Sequence, residues 1–300
     1  MFAHILEKVR TERKKRKKPK KPRLRPGMVP PQVHAPLKPP ITLSPCHDQA
    51  QSPLFGKRFP AELRIAIYEA VLGDPVRLMH IVPHEDGSKR VGHRRCIELD
   101  CPYPTWQHKC FGKYEDERGM HHRRTPQTHD KLLSLLVSCR LIYSDAIGIL
   151  YTANYFSLKG ARGMLEMRSI VPAPQWHAIR YLHVSTLFLT PRSYWLHQDF
   201  PPENYINWAD GCKALQKLQN IRSIRFEILV KAYEEREDGP ASADVEALVS
   251  ILEPLKDIKA PSFEVETNFV IPDSVQAILG DTNFSLKVQH RPYRKLYGRY

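Results

Sequence analysis

Hydrophobic positions recur most regularly between residues 60 and 156. From Pro60 to Leu72 their spacing is helical: Pro60 is placed for a first helical position, Glu62 sits near the positive end of the helix, and Gly73 with Pro75 stops it. At about 100° per residue, Leu63, Ile67, Ala70 and Val71 form one apolar stripe, and Ile65, Tyr68 and Leu72 form another nearly opposite. A helix apolar on two sides is buried between layers or shared between its own core and a partner. Burial of both stripes within the domain is the expected arrangement.

A second, longer helix is predicted over residues 130–151. Leu132, Leu135, Leu136, Cys139, Tyr143, Ala146, Ile147 and Leu150 fall in one stripe, so Leu136 and Tyr143 are expected to pack against the first helix. The strand-like "NYFSL" follows. Between the helices, "VRLMHIVP" (76–83) and "VGHRRCIEL" (91–99) flank the turn-rich "EDGS" and predict a β-hairpin. Residues 100–129 are polar and read as loop. In the second half, strand-like segments at 181–189, 223–230, 262–270 and 284–288 alternate with helical ones near 206–219, 242–258 and 273–280. Such alternation predicts largely parallel pairing with helices packed on the sheet. The cadence Leu215-x-x-Leu218-x-x-Ile221-x-x-Ile224 and its counterpart Leu252-x-x-Leu255-x-x-Ile258 resemble degenerate leucine-rich repeats, and an ordinary α/β layer fits them equally. The expected fold is α+β. Residues 52–300 form a single globular α/β domain, divided into 52–158, with an insertion at 73–129, and an irregular helix–strand alternation over 159–300.

Charge changes the picture mainly at the N-terminus. The formal net charge is +14, but residues 1–50 hold 13 Lys/Arg against 3 Asp/Glu, leaving 33 against 29 for the rest. A basic fold is therefore not implied. Residues 1–51 read as a disordered basic and proline-rich tail. In it Phe2, Ile5, Leu6 and Val9 have helical spacing, and Arg13, Lys14, Lys15, Arg16, Lys17, Lys18, Lys20, Lys21, Arg23 and Arg25 form a basic run. That run fits a solvated tail, a nuclear-localisation signal, or a polycation that binds nucleic acid by counterion release. Six cysteines without a secretory leader suit a reducing compartment, and no window reads as a membrane span, so a nuclear or cytoplasmic location is expected.

Catalytic signatures are missing: there is no G-x-S-x-G, P-loop, dinucleotide fingerprint or H-E-x-x-H, so no enzymatic activity is expected. The sharpest chemical alternative is Cys96-x4-Cys101-x8-Cys110 with His93, His108, His121 and His122 nearby, ligands of the right softness for zinc. Among these residues there is no C-x2-C or H-x3-H spacing, so no metal and no cofactor are expected, and Tyr103 and Trp106 account for the apolar residues of the loop.

"FPAELRIAIYEAVLG" and "LLSLLVSCRLIYSDAIGILYTANYF" together resemble a fungal F-box-like family of unknown function, whose members read LPxEIRxxIYxxVL and LLxxCRxIYxEAxxLLYxxNxF. Pro60, Glu62, Leu63, Arg64, Ile67, Tyr68, Val71 and Leu72 match the first pattern. Leu132, Leu133, Cys139, Arg140, Ile142, Tyr143, Ala146, Leu150, Tyr151, Asn154 and Phe156 match the second. The resemblance implies F-box-like helices and a non-enzymatic protein-interaction module, a ubiquitin-ligase adaptor that joins a target protein to a Skp-type adaptor. Phe59, Pro60, Leu63, Ile65, Tyr68 and Leu72 are then the partner-binding residues. An ordinary F-box is compact, whereas here residues 73–129 separate the two motifs, which suits a scaffold that has lost adaptor binding. A nuclear protein using its basic tail on nucleic acid is the other alternative.

Overall fold

The computed structural model describes residues 52–53, 55, 59–83, 91–111, 113–115, 121–123, 132–190, 203–232 and 242–292. The basic run 13–25 lies outside them. Helix α1 (Ala61–Leu72) follows Pro60, which takes the N-cap in extended backbone rather than the first helical position. The chain leaves α1 at Gly73, where a Cβ would stand 2.8 Å from the Glu69 carbonyl oxygen and 3.2 Å from Ala153 Cβ. A side chain there would force the helix end away from its neighbour.

The single long helix expected over 130–151 is two helices, α2 (Leu132–Leu136) and α3 (Arg140–Thr152). Cys139 ends the break in extended backbone and its Sγ accepts from the Ile142 N–H, so this residue is the N-cap of α3 rather than simple core. The break resets the helical phase. Ile142, Ala146 and Leu150 line the buried face, while Tyr143 is 44% exposed, contrary to the continuous-helix projection. Leu136, at 2%, is core as expected. Replacing Leu136 with Ala should therefore cost about 2–4 kcal/mol, and Tyr143→Ala well under about 1 kcal/mol, by denaturant unfolding.

The hairpin strands β1 (Asp74–Pro83) and β2 (Val91–Arg95) pair antiparallel. A short pair follows, β3 (Lys113–Glu115) with β4 (His121–Arg123), in the region expected to be loop. After α3 come β5 (Asn154–Lys159), α4 (Gly160–Ile170), α5 (Ala173–Ala178), β6 (Tyr181–Thr190), α6 (Tyr205–Gln216), β7 (Ser223–Ala232), α7 (Ser242–Leu252), β8 (Ser262–Thr267), α8 (Asp273–Leu279) and β9 (Ser285–Val288). The chain is thus mixed α/β, built on a seven-stranded sheet of order β2-β1-β5-β6-β7-β8-β9 in which every pairing except β1–β2 is parallel. The hairpin is the edge of this sheet, not a separate insertion.

From β5 to β9 each strand lies beside its predecessor, an order in which crossovers of the usual right-handed sense put the connecting helices on one face. Alternation along the strands agrees. Phe156, Leu182, Val184, Ile224, Phe226, Phe263 and Val265 enter the main core with Trp176, Trp208 and the helices. Trp208 meets Phe188 edge-on at 5.2 Å and Phe226 at 5.7 Å, and its indole N–H donates to the Ile251 carbonyl. Helices α4 and α6 approach closely because residue 211 is Gly; a Cβ there would lie 2.6 Å from Met164 Cε. The alternate positions point to the other face. There the register sets His80 beside Ser157, Ser157 beside His183, His183 beside Arg225, and Arg225 beside Glu264. The 96–111 segment covers part of this polar face, where Trp106 packs on Leu187 and Leu229.

Candidate functional site

Helix α1 turns only one of its apolar sides inward. Tyr68 and Leu72 are fully buried and belong to the main core with Ile142, Ala146 and Leu150. Of the expected partner-binding residues, these two are therefore unavailable at the surface. Pro60, Leu63 and Ile65 are exposed and Phe59 is partly so. The stripe of Leu63, Ile67 and Val71 is uncovered among the described residues: Leu63 is 52% exposed, and Ile67 and Val71 are each 44%. Burial of both stripes, the expected arrangement, is not what the helix shows.

The remaining motif residues join the two helices. Arg64 donates to the Phe59 carbonyl and lies 3.8 Å from the Asp145 carboxylate on α3. Asn154, buried at the start of β5, donates from Nδ2 to the carbonyls of Leu72 and Leu150 and accepts from the Asp74 N–H. These side chains satisfy helix-end groups that have no intrahelical partner.

On the open face, Glu227 lies at the centre of a charged network. Its carboxylate accepts from Thr105 N–H at 2.9 Å and Ser185 Oγ–H at 2.7 Å, with His183 Nε2 at 3.4 Å and Arg291 Nε at 3.0 Å. Burial opposes the charge, but His183, the Thr105 amide and the Ser185 hydroxyl outweigh it and hold the carboxyl down at about 2. Arg291 also bridges Glu266, which pairs with Arg225. The residues superficially suggest Ser/His/acid catalysis, yet Ser185 donates to the carboxylate, and no hydrogen bond joins it to His183 among the described contacts. A nucleophile needs its base within hydrogen-bond reach. The network neutralises itself, so it presents no free cationic track for phosphates.

Beside it, β1, the exit of β2 and the 96–111 segment bring His80, Cys96, His108 and Cys110 together. All four are buried, and their ligand atoms lie within 4.8 Å of one another. Cys96 Sγ is 3.4 Å from His108 Nδ1 and 3.8 Å from Cys110 Sγ, far beyond a disulfide bond. The Glu98 amide bonds the Cys96 sulfur, and the His108 ring bonds the Tyr103 backbone. Phe111 covers His80 with ring centroids 4.1 Å apart. Burial pushes the His80 imidazole below its ordinary range, which keeps it neutral.

Three of the sequence candidates, Cys96, His108 and Cys110, thus converge. His93 and Cys101 lie outside the group, and the side chains of His121 and His122 are outside the described ones. His80 precedes Cys96 by a whole strand and turn, so the spacing among the cysteines and their near neighbours does not disclose it. The expected hairpin of 76–83 with 91–99 is the signal that bears on it, since the observed pairing sets His80 opposite Arg94, two residues before Cys96. Among the described residues no helix is long and apolar enough to cross a membrane. No curated protein and no solved structure matches the chain. Residues 47–288, most of the chain and nearly all of its described part, match a family defined as a domain of unknown function, so the chain belongs to the DUF7730 family.

Proposed function

We propose that this protein is a non-enzymatic interaction module. Its docking face is the uncovered apolar side of α1, and its partner there is a Skp-type adaptor that links a bound target to a ubiquitin ligase. The observation that carries this reading is the exposure of Leu63, Ile67 and Val71 along one stripe, beside an exposed Pro60, within the motif that resembles the F-box-like family. Contiguous apolar residues left outside a core are what a protein-binding face requires. The one-directional parallel strands, with their helices on one face, support a leucine-rich-repeat-like reading of the second half, which would present the target-binding surface.

Titration of purified Skp-type adaptor into the wild-type chain tests the proposal. Saturable binding is expected, weakened at least about 10-fold, or ~1.4 kcal/mol, by Leu63→Asp with Ile67→Asp. The melting temperature should move little, because both side chains are about half exposed. No binding by the wild-type chain would eliminate the adaptor reading. Binding unaffected by the double substitution would place the contact elsewhere.

A further inference from the structure

We propose that His80, Cys96, His108 and Cys110 bind one zinc ion in a closed structural site that fastens the 96–111 segment to the sheet. Two thiols and two imidazoles are the donor set zinc prefers over harder cations, and zinc takes them tetrahedrally. Bond lengths of about 2.0–2.3 Å imply ligand–ligand edges of about 3.3–3.8 Å. The Cys96 Sγ–His108 Nδ1 and Cys96 Sγ–Cys110 Sγ separations, 3.4 and 3.8 Å, fall on those edges. No edge exceeds 4.8 Å, about 1 Å more than a tetrahedral site needs.

A second observation points the same way. His80 has no solvent exposure, and neither ring nitrogen meets a hydrogen-bond partner in good geometry, the Cys110 thiol being a near polar neighbour. A buried imidazole left so is costly unless something else occupies its lone pair. The outer shell is also of the kind metal sites use. The Tyr103 backbone orients the His108 ring, and the Glu98 amide supports the Cys96 sulfur. With four protein ligands, all buried, no position remains for water or substrate, so the ion is structural and not catalytic.

Its role follows from the elements it joins. His80 lies within β1, Cys96 just beyond β2, and His108 and Cys110 in the two 3-10 turns Thr105–Gln107 and Lys109–Phe111 and their junction. The same turns set the Thr105 amide on Glu227, the Trp106 amide on Ser185 and the Trp106 ring on Leu187 and Leu229. Zinc therefore anchors the strap that shields the buried Glu227.

The test uses the full chain purified under reducing conditions. Elemental analysis should find roughly one zinc per chain, and cobalt exchanged into the wild-type protein should show the visible absorption of a tetrahedral, thiolate-bound ion. Cys96→Ser with Cys110→Ser should lose the metal, and Cys101→Ser should keep it. Chelation of the wild-type protein should speed amide exchange over 96–111 more than over 223–232. A reduced wild-type chain that holds no zinc and gives no cobalt spectrum overturns the proposal, and the wild-type measurement stands even where a variant fails to fold. Metal retained by the double variant, or lost with Cys101→Ser, overturns the ligand assignment. Exchange over 96–111 unchanged by chelation overturns the anchoring role.

Discussion

Asn154→Ala should destabilise the protein by about 3–5 kcal/mol, since each buried group stranded without a partner costs about 1–3 kcal/mol. The side chain has no exposure and makes three hydrogen bonds of 2.8–3.0 Å, to the Leu72 and Leu150 carbonyls and from the Asp74 N–H. Those groups close α1, close α3 and open β1, so a single amide fixes how two helices leave the edge of the sheet. Asp cannot replace it, because a carboxylate would face two carbonyl oxygens where the amide donates. Urea unfolding of Asn154→Ala and Asn154→Asp checks this, with the slope monitored so that a change in midpoint reports stability. A loss under about 1 kcal/mol would mean that water takes over the three bonds. The variant also separates scaffold from contact: it should weaken adaptor binding through misplacement of α1, and lower the melting temperature as it does so, unlike the substitutions at Leu63 and Ile67.

Asn154 also shows what a motif discloses and what it hides. Its place in the second pattern was visible in the sequence, but its role was not, because its partners at 72, 74 and 150 are set by tertiary approach. The strands of the second half were legible because period-2 alternation survives burial on one face: Val184, Phe226 and Val265 point inward as the pattern implies. Helices α4 and α5 were not, since "GARGMLEMRSI" carries two glycines and two arginines, and its apolar residues are held by packing rather than by propensity. The stripe on 130–151 misled at Tyr143 because projection assumes unbroken helix, and the cap at Cys139 shifts the phase. Likewise α1 looked symmetric in projection. Which stripe α3 covers depends on the Arg64–Asp145 pairing and the Asn154 ties, neither of which has a periodicity. The metal-ready cluster was half legible for the same reason: three ligands lie close in sequence, and the fourth arrives through strand pairing.

The second large effect is a dependence of stability on pH set by two buried glutamates of opposite sense. Glu203 is fully enclosed between the starts of α4 and α6. Burial raises its carboxyl to about 7, despite hydrogen bonds from Thr186 Oγ1 at 2.6 Å, Ala161 N at 3.0 Å and Asn204 N at 3.2 Å. In the unfolded chain the same group titrates near 4.5. Between those values the folded state holds a proton that the unfolded state has released, so stability falls as pH rises from 4.5 to about 7. At ~1.36 kcal/mol per pH unit the loss approaches about 3 kcal/mol. Glu227 acts in the other direction. Its folded value near 2 lies below 4.5, so its contribution is present above 4.5 and is lost as pH falls toward 2, again by about 3 kcal/mol. Taken together, the contributions of these two groups are greatest near pH 4.5, on the acid side of neutrality. Other ionisable groups contribute to the wild-type profile, so it alone does not isolate Glu203. The difference between wild type and Glu203→Gln does. Denaturant midpoints for that pair, measured from pH 4 to 8, should show the wild type losing ground to the variant by up to about 3 kcal/mol and levelling off above pH 7. Parallel profiles for the two proteins would mean that Glu203 titrates in the fold as it does in the unfolded chain, with the amide donors of the two helix starts offsetting burial.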